Sequence, residues 1–220
     1  MIFVTGAARS RTSLVAGAVH ACGAFGGELA GPNRFNRKGM FENRTVVDRI
    51  TKPYLRESGL DPMGQYPLPT TGAGFSDGAE VLGQAFTEIL KDHGWDGVTP
   101  IFHKDAKLCL LWSAWHAAFP EAKWIIVRRA REGIVQSCLR TSFMRAFGQD
   151  AGGWRWWVQR HERMFAEMKR AGLSVREVWT DPLVEDEPDL GALHGTIEWA
   201  GLEWDEDAVR KLIEPRYTSR

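Results

Sequence analysis

Ile2-Phe3-Val4-Thr5 is a short β-prone run that stops at Gly6, and residues 12–22 beyond it are small and apolar on almost every side. A helix with no polar face has to be buried, and residues as small as Ala16, Gly17 and Ala18 let it lie close to a sheet. Between strand and helix stands Gly6-Ala-Ala-Arg-Ser-Arg-Thr-Ser13. A turn entering a helix N-terminus presents free backbone N–H groups and the positive end of the helix dipole, and so binds anions. Arg9 and Arg11 add full charges there, and Ser10, Thr12 and Ser13 add hydroxyl donors. An ordinary corner with solvated arginines is the plainer alternative, but two arginines and three hydroxyls in five residues are unusual at an apolar corner.

Strands and helices keep alternating along the chain. Residues 23–44 are rich in Gly, Asn, Arg and Pro without periodicity, a long loop of the kind that carries function. Residues 45–57 are amphipathic, and 59–77, with four glycines and three prolines, are the expected position of a mobile lid. Helices are expected over 80–92, 108–118, 131–145 and 154–171, with shorter ones at 190–200 and 205–213. Further strands are expected at 100–103, 123–128 and 174–179. This order predicts an α/β fold, one domain over residues 1–220 with a mainly parallel sheet flanked by helices.

The bulk numbers narrow the function classes. A chain of 220 residues suffices for one buried core. Lysine plus arginine balance aspartate plus glutamate, 28 against 28. That argues against nucleic-acid or membrane binding through overall charge, while leaving room for a local basic pocket. No apolar run approaches the roughly 20 residues that span a bilayer. The amino terminus has no basic segment ahead of its apolar one, so it reads as a strand rather than a signal peptide, and a cytoplasmic setting is expected. Cys22, Cys109 and Cys138 are odd in number and far apart, which predicts buried free thiols. The six histidines show no ligand spacing, and no metal is expected.

A second anion corner is written in Trp124-Ile-Ile-Val-Arg-Arg-Ala-Arg-Glu-Gly-Ile-Val-Gln-Ser137. Arg129 at the strand's carboxyl end and Ser137, eight residues on in the second helical turn, can grip one phosphate by charge and hydroxyl donation. A solvated basic helix start with a tolerated serine is the alternative. The first turn resembles a nucleotide P-loop, GxxxxGK[ST], but Arg11 stands at its second glycine and Thr12 at its lysine. No convincing apolar strand ends in a magnesium-binding aspartate. These departures argue against an NTPase that cleaves a β–γ bond.

Together the two corners resemble the P-loop sulfotransferase family, in its bacterial-type branch with a carboxylate base. There an RSGTS-like loop binds the 5′-phosphosulfate of 3′-phosphoadenosine 5′-phosphosulfate (PAPS), and an Arg-to-Ser pair eight apart binds the 3′-phosphate. Arg9–Ser13 matches the loop except at Arg11, where glycine is usual, and Arg131 replaces a common proline. Lys104-Asp-Ala-Lys-Leu108 is similar to the family's KDPRL stretch, and Glu177-Val-Trp-Thr-Asp-Pro-Leu-Val184 to its YEDLV segment. Residues 112–122 are similar to the helix and Phe-Pro turn before the second site, and Gly201-Leu202 to the GL before the last helix. The resemblance implies that Gly6, Arg9, Ser10, Arg11, Thr12 and Ser13 hold one end of PAPS and that Arg129 and Ser137 hold the other, without metal.

It also implies the chemistry. Sulfuryl transfer, like phosphoryl transfer, depends on positioning and on stabilising charge. Arg9 and the loop amides meet the charge on the leaving 5′-phosphate, while Arg11 either does the same or turns outward. Asn36-Arg-Lys-Gly-Met-Phe-Glu42 resembles the family's NPKGYFE, which makes Glu42 the expected base for an acceptor hydroxyl. The alternative is a carboxylate that stabilises the helix beginning near Arg44. His103 is the second candidate base. Lys104 either contacts the transferring group or is a solvated strand end. Among Trp154, Trp156 and Trp157 at most two share a helix face, and core packing is their expected fate over an acceptor platform. The implied function is a PAPS-dependent sulfotransferase acting on a hydroxyl or amine of a small-molecule or carbohydrate acceptor. A small-molecule kinase with an altered P-loop and an inactive nucleotide-binding module are the rivals. Neither the acceptor nor the oligomeric state is legible in the residues.

Overall fold

Four β-prone runs line up side by side. In the computed structural model, which describes residues 1–33 and 36–213, β1 (Ile2–Thr5), β2 (Phe102–Lys104), β3 (Lys123–Arg128) and β4 (Ser174–Trp179) form a parallel sheet in the order β2-β1-β3-β4. Helices cover it: α1 (Thr12–Ala21), α2 (Arg44–Val46), α3 (Lys52–Glu57), α4 (Ala79–Asp92), α5 (Trp112–Ala118), α6 (Arg131–Arg140), α7 (Ala151–Arg170), α8 (Gly191–Ala200) and α9 (Glu206–Ile213). The chain is a single-domain α/β fold, its parallel sheet flanked by helices.

Strand alternation divides the core into two layers. Phe3, Trp124 and Ile126 point to one face and pack with Phe86, Trp115 and Phe165 of α4, α5 and α7. Ile2, Val4, Ile125, Val127 and Val178 point to the other, against Val15, Val19, Leu193, Ile197 and Val209 of α1, α8 and α9. Each such side chain contributes about 1.5–3 kcal/mol when fully buried, so both faces hold the sheet rigid beneath its loops. As expected, the three cysteines are free and buried.

Four segments differ from the sequence expectation. The helix expected over 108–118 starts only at Trp112, after a 3-10 turn over Leu108–Leu110. The helix expected over 131–145 stops at Arg140, because the buried side chain of Gln65 captures the next stretch. Its Oε1 accepts from the Arg145 and Ala146 amides and its Nε2 donates to the Phe143 carbonyl. The segment expected as a lid is strapped down: Trp157 donates to the Gly64 carbonyl, Arg160 to that of Pro69, and Glu167 accepts from Thr71 and Gly72. The second strand lies at Phe102–Lys104 rather than 100–103, its register set by Phe3 against His103 and Val4 against Lys104. The long loop over 23–44 includes residues 34 and 35, which lie outside the described residues.

Candidate active site

The strand order locates a crevice. From β1 the chain moves to β2 on one side, and from β3 it moves to β4 on the other. The connections therefore diverge between the carboxyl ends of β1 and β3, and ligands of open parallel sheets bind at such a switch point. Both anion corners read from the sequence open there, since β1 and β3 are paired neighbours.

Gly6 lets the first corner sit on the sheet: a Cβ at this position would lie 2.6 Å from the Val127 carbonyl oxygen. Arg9 (φ 73°) and Arg11 (φ 65°) hold left-handed backbone, a conformation that costs a non-glycine residue roughly 1–2 kcal/mol. Thr12 opens α1 and is buried. Ser10 is buried too, and its Oγ has no hydrogen-bond partner among the described residues, as suits a hydroxyl lining an anion cradle. Ser13 Oγ donates to the Met40 carbonyl (3.1 Å).

The second corner reaches the first. Nη1 of Arg129 donates to the Arg9 carbonyl at 3.0 Å, and Nε of Arg9 donates to Ser137 Oγ at 2.9 Å. Gly133 makes room, because a Cβ there would fall 2.9 Å from Arg129 Nε. Arg9 also lies over the Phe143 ring, 5.8 Å from its centroid. Burial, and then the repulsion of Arg11, push the Arg129 guanidinium down to about 10, against the pull of Asp181. It stays charged at neutral pH, in a crevice where positive groups outnumber negative ones.

Arg11 turns toward the end of β4. Its Nη1 contacts Asp181 Oδ1 at 2.7 Å and the Thr180 carbonyl at 3.4 Å, while Asp181 Oδ2 accepts from the Ala130 amide at 2.7 Å. Sequence reading missed the positions of Asp181 and Gly133. An acid at the carboxyl end of a strand flanking an arginine-ended one was the available signal for Asp181.

Glu42 arrives from the opposite side. Phe41, also left-handed at φ 52°, turns the segment after the Met40 and Phe41 amides bond the Ala30 carbonyl. Gly17 of α1 makes this approach possible, since a Cβ there would meet the Phe41 ring at 2.9 Å. The helix cap is Asn43, whose side chain accepts from the Val46 amide. Glu42 is therefore free of that duty and takes Lys104 Nζ at 2.7 Å. Lys104, only 2% exposed, also donates to Ser13 Oγ (3.2 Å) and the Met40 carbonyl (3.1 Å). It joins the candidate base to the first turn of α1.

His103 is not brought to this site. Strand alternation turns it to the other face, where its ring lies against Phe86 and Trp115 and neither nitrogen has a partner among the described residues. Trp154 and Trp157 are buried, whereas Trp156 is 41% exposed and meets Tyr66 and Phe147 edge-on. Among the described residues no group of three or more His, Cys, Asp or Glu is arranged to hold a metal ion. No described helix is long and apolar enough to cross a membrane.

The buried histidines set an acid limit. Burial drives both His103 and His161 down to about 4, against the weaker pull of the Asp105 charge on the first and the Trp157 carbonyl on the second. Both stay neutral in the fold while the unfolded chain protonates near the ordinary 6.5. Stability present above that pH is thus lost as pH falls from 6.5 toward 4, on the order of 3 kcal/mol per ring. Urea melts at successive pH values check this. A midpoint unchanged between pH 7 and 5 removes the burial argument.

No protein-family model matches the chain, and no curated protein matches its sequence. Among solved structures the chain is similar to the crystal structure of the sulfotransferase STF1 from Mycobacterium tuberculosis H37Rv. The match has a TM-score of 0.52 at 16% sequence identity and covers 96% of this chain and 70% of that one. At that identity the likeness establishes a shared fold, and the site has to be argued from this chain's own residues.

Proposed function

We propose that this domain is a PAPS-dependent sulfotransferase that moves a sulfuryl group to a hydroxyl or amine of a small-molecule or carbohydrate acceptor. The observation that carries the reading is the junction of the two anion corners: Arg129 on the Arg9 carbonyl and Arg9 on Ser137. A ligand with anions at both ends of a nucleoside fits two cationic corners facing one crevice, and the shared sulfotransferase-like fold supports it. The unpartnered Ser10 hydroxyl, on a turn held against the sheet by Gly6, fits a phosphate lying against the turn.

PAPS, as donor substrate, supplies the sulfuryl group. In this reading the turn amides and Arg9 hold its 5′ end and face the charge that grows on the leaving phosphate. Arg129 and Ser137 hold the 3′-phosphate. Glu42 takes the proton of the acceptor hydroxyl. Lys104, 2.7 Å from Glu42 and 3.2 Å from Ser13, keeps that carboxylate aimed at the loop and places positive charge beside the reacting group.

Thermal shift tests the donor class. Adenosine 3′,5′-bisphosphate (PAP), present a hundredfold above its Kd without metal, should raise Tm by roughly 5–10 °C, and adenosine monophosphate should do less. A rise with ATP and magnesium but none with PAP makes the protein a kinase-like enzyme instead. PAP binding without transfer to any acceptor identifies an inactive nucleotide-binding module.

A further inference from the structure

The Asp181 carboxylate stands where a ligand's anion belongs. It accepts from the Ala130 amide at the start of α6 (2.7 Å) and from Arg11 Nη1 (2.7 Å), with Arg129 Nε at 3.8 Å. A helix-start amide joined by two guanidiniums is an anion-binding set, and here the protein fills it with its own charge. Two observations make the filling look provisional. Arg129 Nε is buried and makes no hydrogen bond among the described residues, so the carboxylate leaves part of the set unused. The Asp181 side chain is 38% exposed, which gives it a way out to solvent. Arg11, moreover, departs from the usual loop glycine while holding a backbone conformation that glycine adopts more easily.

Resting on the sulfotransferase reading, we propose that Asp181 is a placeholder for a phosphate of the donor and thereby a determinant of which anions bind. In the free protein it restrains two mutually repelling arginines, Arg11 and Arg129. A dianionic phosphate offers more charge and more acceptor oxygens, displaces the carboxylate from the Ala130 amide, and takes over Arg11 and Arg129. A singly charged anion cannot pay for that exchange and is turned away.

Calorimetric titration of PAP and of inorganic pyrophosphate into the wild type and Asp181→Asn, at one salt concentration, tests the placeholder separately from the donor. Asparagine keeps an acceptor for the Ala130 amide and nearly the same volume, so the fold should persist by circular dichroism. Both ligands should bind the variant about tenfold more tightly, as removal of a nearby like charge implies. Equal or weaker pyrophosphate binding by the variant overturns the placeholder and makes Asp181 a brace. A gain for pyrophosphate with PAP binding neither protein upholds the placeholder and sinks the donor. PAP binding to the wild type with no gain for either ligand does the reverse, and no binding of either ligand to either protein sinks both. If the variant does not fold, a crystal structure of the wild type with PAP decides: the Arg11–Asp181 contact should be broken, and an intact pair overturns the proposal.

Discussion

Arg129→Ala should weaken PAP binding roughly 30- to 1,000-fold, about 2–4 kcal/mol, while adenosine monophosphate changes by less than about threefold. The asymmetry follows from geometry. Through Nη1 the guanidinium is tied to the Arg9 carbonyl, which fixes it at the junction of the two corners, where the proposed 3′-phosphate would lie. Its burial beside Arg11, the cause of its lowered pKa, means that the free protein gains little from it and should lose little stability when it is removed. Calorimetry with the two nucleotides, beside a thermal melt of each protein, reads all three quantities. Equal losses for both nucleotides would show that residue 129 does not read the 3′ end.

Glu42→Gln should lower the turnover number by about 10²- to 10⁴-fold, the usual contribution of a positioned base, with PAP affinity nearly unchanged. Glutamine still offers an oxygen to Lys104 but no negative charge, so the buried ammonium loses its charged partner. A stability loss of about 1–3 kcal/mol should accompany the kinetic effect. Radiolabelled PAPS incubated with a panel of hydroxyl acceptors measures the first effect, and a urea melt the second. If stability falls while transfer continues at the wild-type rate, Glu42 is the counter-ion of Lys104 and the base is elsewhere.

Much of the architecture was legible in the chain. β1 and the middle of β3 are apolar runs, β4 intersperses valines with polar residues, and all three fold where the sequence places them. β2 mixes an aromatic ring, an imidazole and an ammonium, so composition blurred it and only pairing with β1 defines it. The end of α6 was hidden for another reason: Gln65, about 80 residues earlier in sequence, intercepts the chain there. The candidate site divides in the same way. Residue types at 9–13, 129 and 137 pointed to two anion-binding corners, because charge and hydroxyls at a strand–helix corner have few other uses, whereas Glu42 entered through its likeness to the family's NPKGYFE stretch. The partners were not declared, since Arg9 finds Ser137 across 128 residues and Arg11 finds Asp181 across 170. Nor did the sequence show which of the neighbours His103 and Lys104 faces the glycine turn. Alternation says they point apart, but which face belongs to the loop is decided by how the helices pack.

That alternation bears on how errors in assembly are rejected. Pairing β2 one residue out of step with β1 would drive an ammonium into the cage of Phe86 and Trp115 and aim an imidazole at Ser13. An unpaired charge in an aromatic interior is prohibitively unfavourable, so misaligned chains cannot persist. Correct alignment of two short strands and delivery of the lysine to the glycine turn are consequently one event, and a chain that has built its sheet has already oriented one member of the Lys104–Glu42 ion pair.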